Sequence, residues 1–337
     1  MPATIEDVAL EAGVSTATVS RALRGLPNVA PSTRALIIHV AEQLEYHVSP
    51  HLSRHLLGRK NIGIVMPLVD QWFFSKVASI AEIQLMTAGC DVARYSIYSL
   101  NSQRRILKHL TSSKMVDGLI LSTLALSDED TEMLQGAAIP VVTIETETSI
   151  FPSISIDNVA AAELGTRYLI NLGHRRIALI EGLDDDPLLY SIPEQRRRGY
   201  VQALEKHEIE YRPEFEVAGN YSYAGGAEAM KQLFSLPRPP TAVFALSDEM
   251  AIGALKTIRD TNLRVPEDIS VIGFDDNDVA EYVGLTTIRQ PVAEYGELAA
   301  GLILQMLSRS EGDTTESVRR PMTLVLRATS GPCAEGR

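Results

Sequence analysis

The run Ile5-Glu6-Asp7-Val8-Ala9-Leu10-Glu11-Ala12-Gly13-Val14-Ser15-Thr16-Ala17-Thr18-Val19-Ser20-Arg21 dictates a small helical unit of its own at the start of the chain. Thr4 is placed to cap a helix beginning at Ile5, and Asp7 three residues on gives a weaker form of the capping box. Ile5, Val8 and Ala9 share one face. Gly13 permits a left-handed or tight turn. Ser15 then caps a second helix over residues 16–23, whose Val19 and Leu23 lie four apart on a common core face. Gly25 and Pro27 end that region. A third helix is predicted over residues 31–44. Pro31 sits in its first turn, where a missing N–H costs nothing, and Leu36, Ile37, Val40, Ala41 and Leu44 form its apolar stripe.

A short second helix exposed at its N-terminal end fits the DNA major groove. Thr16 and Ala17 are then placed for base edges or thymine methyls, and Arg21 for a guanine or a phosphate. Ser15, Thr18 and Ser20 are better placed for phosphate. A small helical domain that binds protein is the competing reading. The net charge of −12 looks wrong for DNA binding, but it is unevenly spread. The first 60 residues hold six Lys/Arg against five Asp/Glu, and the acidic excess lies in the rest. A near-neutral head with basic edges binds phosphate locally while an acidic body carries the negative charge.

With 337 residues the chain exceeds a single growing core and predicts two or three compact units. No apolar run reaches membrane-spanning length, and no signal peptide opens the chain. A cytoplasmic protein is therefore expected. Cys90 and Cys333 alone form neither a disulfide framework nor a zinc pair. No metal site and no cofactor are expected.

From residue 61 the pattern changes to short apolar runs alternating with helical periodicity. Strands are predicted at 61–67, 91–96, 117–122, 140–144 and 153–156, with helices at about 75–87 and 101–112. After Asp157 the pattern restarts, with helices at 159–172, 194–206, 222–234 and 248–259 and strands at 176–181, 242–246 and 269–274. Residues 285–290 read as a crossover back to the first unit, leading into a helix at 291–307. Residues 322–327 read as a last strand, in the second unit. Strand-helix alternation of this kind marks parallel sheets covered by helices. The fold class is thus an α/β body of two parallel-sheet lobes with a small all-α head. Ligands in such folds bind at strand C-terminal ends, in the cleft between lobes. Asp70, Phe73 and Phe74 follow the first strand; the two phenylalanines suit either a sugar face or core packing. Tyr190 lies in an irregular loop near the second lobe. Gly225-Gly226 reads as a turn or a helix-packing feature.

Asp7-Val8-Ala9, Ala12-Gly13-Val14-Ser15 and Thr18-Val19-Ser20-Arg21, continued by Asn28-Val29 and Tyr46, resemble the head of the lac/gal repressor family. Ser49-Pro50-His51-Leu52-Ser53-Arg54-His55-Leu56-Leu57-Gly58 resembles that family's hinge. The resemblance implies that Thr4 and Asn28 join the DNA contacts and that Ser53 and Arg54 meet phosphate. It implies that Leu56 wedges into the minor groove when a dimer sits on its operator. Val48-Ser49-Pro50 and the position of Arg54 depart from the commonest hinge pattern. For the body the resemblance implies a periplasmic sugar-binding fold. Arg196, three before Gly199, matches the family arginine, and Asp275 in Gly273-Phe274-Asp275-Asp276 matches the aspartate that accepts ligand hydroxyls. Ser247 stands where asparagine is usual, and Glu145 where an aspartate often contacts sugar. Asp248 reads as a helix cap, and Arg197 or Arg198 as a possible second cation for a phosphosugar.

The domains expected are a head (1–48), a hinge (49–60), a first lobe (61–157 plus 291–317), a second lobe (158–290 plus 318–330) and a disordered tail (331–337). The function implied is a repressor of carbohydrate-use genes. It would bind double-stranded operator DNA as a homodimer and be released by a mono- or disaccharide, with no membrane partner. A co-repressor-dependent regulator answering to a purine or phosphorylated compound is the alternative, and a transport solute-binding protein a remote one. No enzyme is expected: no G-x-S-x-G, Walker or dinucleotide motif is present, and nothing pairs two carboxylates across a scissile bond.

Overall fold

The computed structural model describes residues 3–23, 26, 28–46, 59–67, 71–113, 115–146, 148–182, 191–308 and 316–334. The head holds α1 (Ile5–Glu11), α2 (Thr16–Leu23) and α3 (Pro31–Gln43). Thr4 caps α1 as expected. Its hydroxyl accepts from Asp7 N at 3.3 Å while Asp7 Oδ2 accepts from Thr4 N at 2.8 Å, so two orphan amides are satisfied reciprocally. Gly13 makes the turn at φ +64°. Ser15 Oγ accepts from Thr18 N at 3.1 Å and so caps α2. Val8, Val19, Ala22, Leu23, Ile37, Val40 and Ala41 close a separate small core, with Val29, Leu44 and Tyr46 packed on it. In α3 the stripe is shifted from its expected place: Leu36 is exposed and Ile38 buried. Leu36 lies on the face turned away from the small core that α1 and α2 make with α3.

The body has two six-stranded sheets. The first contains β1 (Asn61–Pro67), β2 (Asp91–Ile97), β3 (Gly118–Ser122), β4 (Val141–Ile144), β5 (Ser153–Ser155) and β11 (Val318–Arg319). Their order is β11-β5-β4-β3-β1-β2, all parallel. The second contains β6 (Ile177–Glu181), β7 (Glu216–Ala218), β8 (Ala242–Ala245), β9 (Ser270–Asp275), β10 (Thr286–Arg289) and β12 (Thr323–Val325). Their order is β12-β10-β9-β8-β6-β7, parallel except for β12 against β10. Every residue of β1 is buried, which is why it reads as an unbroken apolar run rather than an alternation.

Helices α4 (Trp72–Thr87), α5 (Leu100–Ser112), α6 (Asp128–Gly136) and α11 (Val292–Ser308) cover the first sheet. The second lobe carries α7 (Asn158–Asn171), α8 (Ser191–Lys206), α9 (Tyr223–Phe234) and α10 (Asp248–Asp260). Residues 286–289 were expected in a crossover but form β10 of the second sheet; the chain returns to the first lobe only after Gln290. Val318 and Arg319, expected in the second lobe, pair instead with β5, where Ser153 N also bonds Ser317 Oγ at 3.1 Å. The expected disordered tail is anchored over 331–334: Gly331 N bonds Ser270 Oγ at 3.1 Å and Cys333 N bonds Leu172 O at 2.8 Å. Among the described residues no helix is long and apolar enough to cross a membrane.

Gly226 is a packing glycine between α9 and α10: a Cβ there would stand 2.1 Å from the Met250 carbonyl. Backbone cannot yield as a side chain can. Gly226→Ala is expected to destabilise the second lobe by ~1–3 kcal/mol, the usual cost of overpacking. Urea unfolding of variant and parent checks this.

Candidate functional site: the cleft and the head

The C-terminal ends of both sheets face a cleft open to solvent, the place where small molecules bind in such folds. From the first lobe come Gln71, Phe73, Phe74, Thr123 and Glu145; from the second, Arg196, Tyr221, Ser247, Glu249 and Asp275; Gln290 lies at the crossover. Of the residues foreseen, Phe73, Phe74, Glu145, Arg196, Ser247 and Asp275 are brought together here. Asp70 and Tyr190 lie outside the described residues. Gln71, Thr123, Tyr221 and Gln290 carry no motif, and Glu249, though it lies in the run Ser247-Asp248-Glu249-Met250-Ala251 that resembles a family motif, is not among the expected ligand residues; all five reach the cleft by lying at or near strand ends or in the segments beside them.

Arg196 projects from α8 and is buried. Its Nε donates to Asn158 Oδ1 at 2.9 Å and Nη1 to Leu246 O at 3.0 Å, while the guanidinium stacks 3.6 Å over the Phe274 ring. Stacking and two donor bonds fix its plane. Asp275, at the end of β9, accepts from Gln290 Nε2 at 2.6 Å. Burial pushes its carboxyl well above the usual range, against the pull of Arg196. Its backbone is strained at φ +116°, a region an aspartate rarely takes.

Glu145 borders the cleft, yet both its oxygens are engaged by the protein. Oε1 accepts from Ile156 N at 2.9 Å and from the Tyr295 hydroxyl at 2.7 Å, and Oε2 from Asn158 Nδ2 at 2.7 Å. The carboxylate expected to meet sugar thus serves first as a joint between lobes. Burial raises its carboxyl, and the three donors and Arg196 oppose the shift. Phe73 and Phe74 open α4 rather than a loop, because the helix starts three residues earlier than expected. Phe73 packs edge-on against Phe74 and Tyr295.

Ser247, not Asp248, caps α10, accepting from Met250 N at 3.3 Å. Asp248 is buried instead, taking Thr287 Oγ1 at 2.6 Å and Asn277 N at 2.7 Å. Arg197 is no second cation for the cleft: it pairs with Glu216 and donates to the Tyr211 hydroxyl at 2.9 Å. Arg198 is exposed and does not line the cleft. At the cleft mouth the lobes touch directly. Trp72 Nε1 donates to Asp278 Oδ2 at 3.1 Å, Lys76 Nζ approaches the same oxygen at 3.1 Å, and Trp72 N donates to Glu249 Oε1 at 3.3 Å.

In the head, Thr4, Ser15, Thr16, Ala17, Arg21 and Asn28 are exposed, and Thr18 and Ser20 half-buried. Ser15 and Thr18 share a hydroxyl–hydroxyl bond of 2.8 Å, so part of their capacity is spent within α2. Asn28 sits at φ +77° in the turn before α3. Ser53, Arg54 and Leu56 lie outside the described residues. Among the described residues no cluster of three His, Cys, Asp or Glu is arranged to hold a metal ion.

Burial pushes the Asp248 carboxyl up to about 7. A carboxyl raised in the folded state contributes stability below its unfolded value near 4 and loses that contribution as pH rises through about 7. Asp248→Asn is expected to flatten the fall in stability across that window. Denaturation midpoints collected from pH 4 to pH 8 test this; an unchanged slope would contradict it.

The sequence matches the model of the bacterial regulatory proteins of the lacI family over residues 4–49 and that of the periplasmic binding protein-like domain over 166–330. Catabolite control protein A of Priestia megaterium is 34% identical, over 94% of this chain and 96% of the relative. The repressor CytR of Escherichia coli K12 is 35% identical, over 97% and 96%. Among solved structures, the lac repressor dimer bound to operator and the anti-inducer ONPF superposes with a TM-score of 0.74 at 27% identity, covering 98% of this chain and all of that one. The CelR–cellobiose complex does so with a TM-score of 0.68 at 30% identity, covering 97% of this chain. The cleft between two parallel-sheet lobes and the capped helix-turn-helix head therefore belong together, and the chain is a member of the LacI family of ligand-responsive, DNA-binding transcriptional regulators.

Proposed function

We propose that the protein is a repressor that acts as a homodimer on a pseudo-palindromic operator, one head per half-site, and lets go when a mono- or disaccharide enters the cleft. It acts in the cytoplasm, where the operator is, and as a switch rather than an enzyme. Thr16, Ala17 and Arg21 read bases; Thr4, Ser15, Thr18, Ser20 and Asn28 meet phosphate. The roles of Ser53, Arg54 and Leu56 rest on the hinge resemblance alone. In the cleft, Arg196, Asp275 and Ser247 meet ligand hydroxyls and Phe73 and Phe74 its ring face; roles for Asp70 and Tyr190 rest on the sequence alone.

The observation that carries this reading is the buried chain Arg196–Asn158–Glu145–Tyr295, which links the second lobe to the first and whose Arg196 and Glu145 line the cleft. A ligand on Arg196 acts on the group that fixes the lobe angle. Ligand and operator then bias the same equilibrium. The CelR structure holds cellobiose, and a family member from Enterococcus faecium, 27% identical, holds ribose. Both favour a sugar over a purine. A phosphosugar is disfavoured because Arg197 is occupied elsewhere.

Fluorescence anisotropy with labelled genomic fragments tests the output. Arg21→Ala is expected to weaken binding by ~1–3 kcal/mol and to relax preference at one position of each half-site. Absence of binding to every fragment, with and without sugars, would overturn the proposal.

A further inference from the structure

The charge inventory of the cleft is lopsided. Arg196 is the one cation among its described lining residues. Recognition of a phosphate or carboxylate by arginine uses two parallel donors. Here Nε is committed to Asn158 and Nη1 to Leu246 O, and the plane is held against Phe274. Two of its five N–H donors are thereby spent inside the protein, so a ligand meets only part of the guanidinium's donor set.

Acceptors, in contrast, are in surplus. Asp275 and Glu249 are both more than nine-tenths buried and line the same cavity. Asp275 accepts from Gln290 Nε2 at 2.6 Å, and Glu249 from Trp72 N at 3.3 Å with further support from the Ser247 hydroxyl and its own backbone amide. Gln290 Oε1 and Thr123 Oγ1 are buried with no hydrogen-bond partner among the described residues. Buried polar atoms left in this state call for donors from outside the chain. The surplus does not serve a metal, since the described acids form no metal-holding cluster. Burial raises both carboxyls, so an incoming donor keeps them ionised and an incoming anion forces them to take up protons.

We propose that the cleft selects a ligand with no anionic group, one presenting hydroxyl or amino donors to Asp275, Glu249, Gln290 and Thr123 and an apolar ring face to Phe73, and that it turns away phosphorylated and carboxylated analogues. The proposal rests on the cleft being the effector site. Glu249 and Asp275 set the discrimination, because an anion beside two buried carboxyls either meets their charge or must draw protons onto them, and a neutral donor does neither.

Calorimetry on the full chain with matched sets tests it. Each set holds a neutral hexose, pentose, disaccharide or nucleoside with its phosphate ester and, where one exists, its uronate and its amino analogue. In any set that binds, the neutral or amino member is expected to bind about a hundredfold tighter than its anionic counterpart. Glu249→Gln, and separately Asp275→Asn, are expected to narrow that ratio by raising affinity for the anion. A phosphate or uronate that binds the parent as tightly as its neutral counterpart overturns the proposal and leaves the effector site standing. Failure of every set to bind overturns the effector-site reading and the proposal with it.

Discussion

A single buried carboxylate, Glu145, holds the two lobes in register. It belongs to the first lobe, yet it is satisfied by Tyr295 of α11, by Ile156 in the connection between lobes and by Asn158 at the start of α7. Asn158 in turn accepts from Arg196 of the second lobe. Isolating a charge in a protein interior costs several kcal/mol unless hydrogen bonds and a nearby counter-charge offset it. Here three donors and the Arg196 charge do so, and of these the Asn158 donor and the Arg196 charge depend on the relative placement of the lobes. Shifting the lobes would orphan part of this chain. The link from Asn158 to Glu145 thus favours one relative placement of the lobes.

The loop after β9 divides its labour residue by residue. Asp275 faces the cleft in a strained conformation. Asp276 holds that strain in place: Arg289 Nε donates to its Oδ2 at 2.6 Å, and Arg327 lies 2.7 Å from its Oδ1, close in charge though not aligned to donate. Asn277 is fixed by Asp248. Asp278 reaches the other lobe at Trp72 and Lys76. That last contact is exposed and so worth at most ~1 kcal/mol. It biases closure without locking it. A ligand bound at Asp275 therefore pulls on the segment that also touches the opposite lobe.

Much of this was legible in the sequence, for local reasons. Thr4, Gly13 and Ser15 specify caps and a turn with their own side chains and backbone, and the structure shows those bonds. The unbroken apolar runs of β1 and β8 could only be buried parallel strands. Arg196 and Asp275 were found by motif, and they do reach the cleft. What escaped depends on contacts distant in sequence. Residues 286–289 (Thr-Thr-Ile-Arg) hold a single apolar side chain, and only pairing with β9 makes them a strand of the second sheet. Helix α6 escaped because its run Asp128-Glu129-Asp130-Thr131-Glu132 is polar and only Asp130 and Leu134 are buried. Glu249, Thr123 and Gln290 became candidates only when the two lobes were seen to face one another. From the sequence Asp248 reads as a cap, because helix starts favour aspartate. Its neighbour Ser247 performs that role, which frees Asp248 to anchor the loop from Asn277.

Coupling between cleft and head is the central claim, and thermodynamic linkage makes it measurable from either side. The decisive measurement is the affinity of the protein for a neutral sugar found to bind it, titrated alone and again with saturating operator DNA. A ligand-gated switch requires the sugar to bind more weakly on the operator, by the same factor by which the sugar weakens operator binding, typically ~5–150-fold. Equal sugar affinity with and without operator would contradict it.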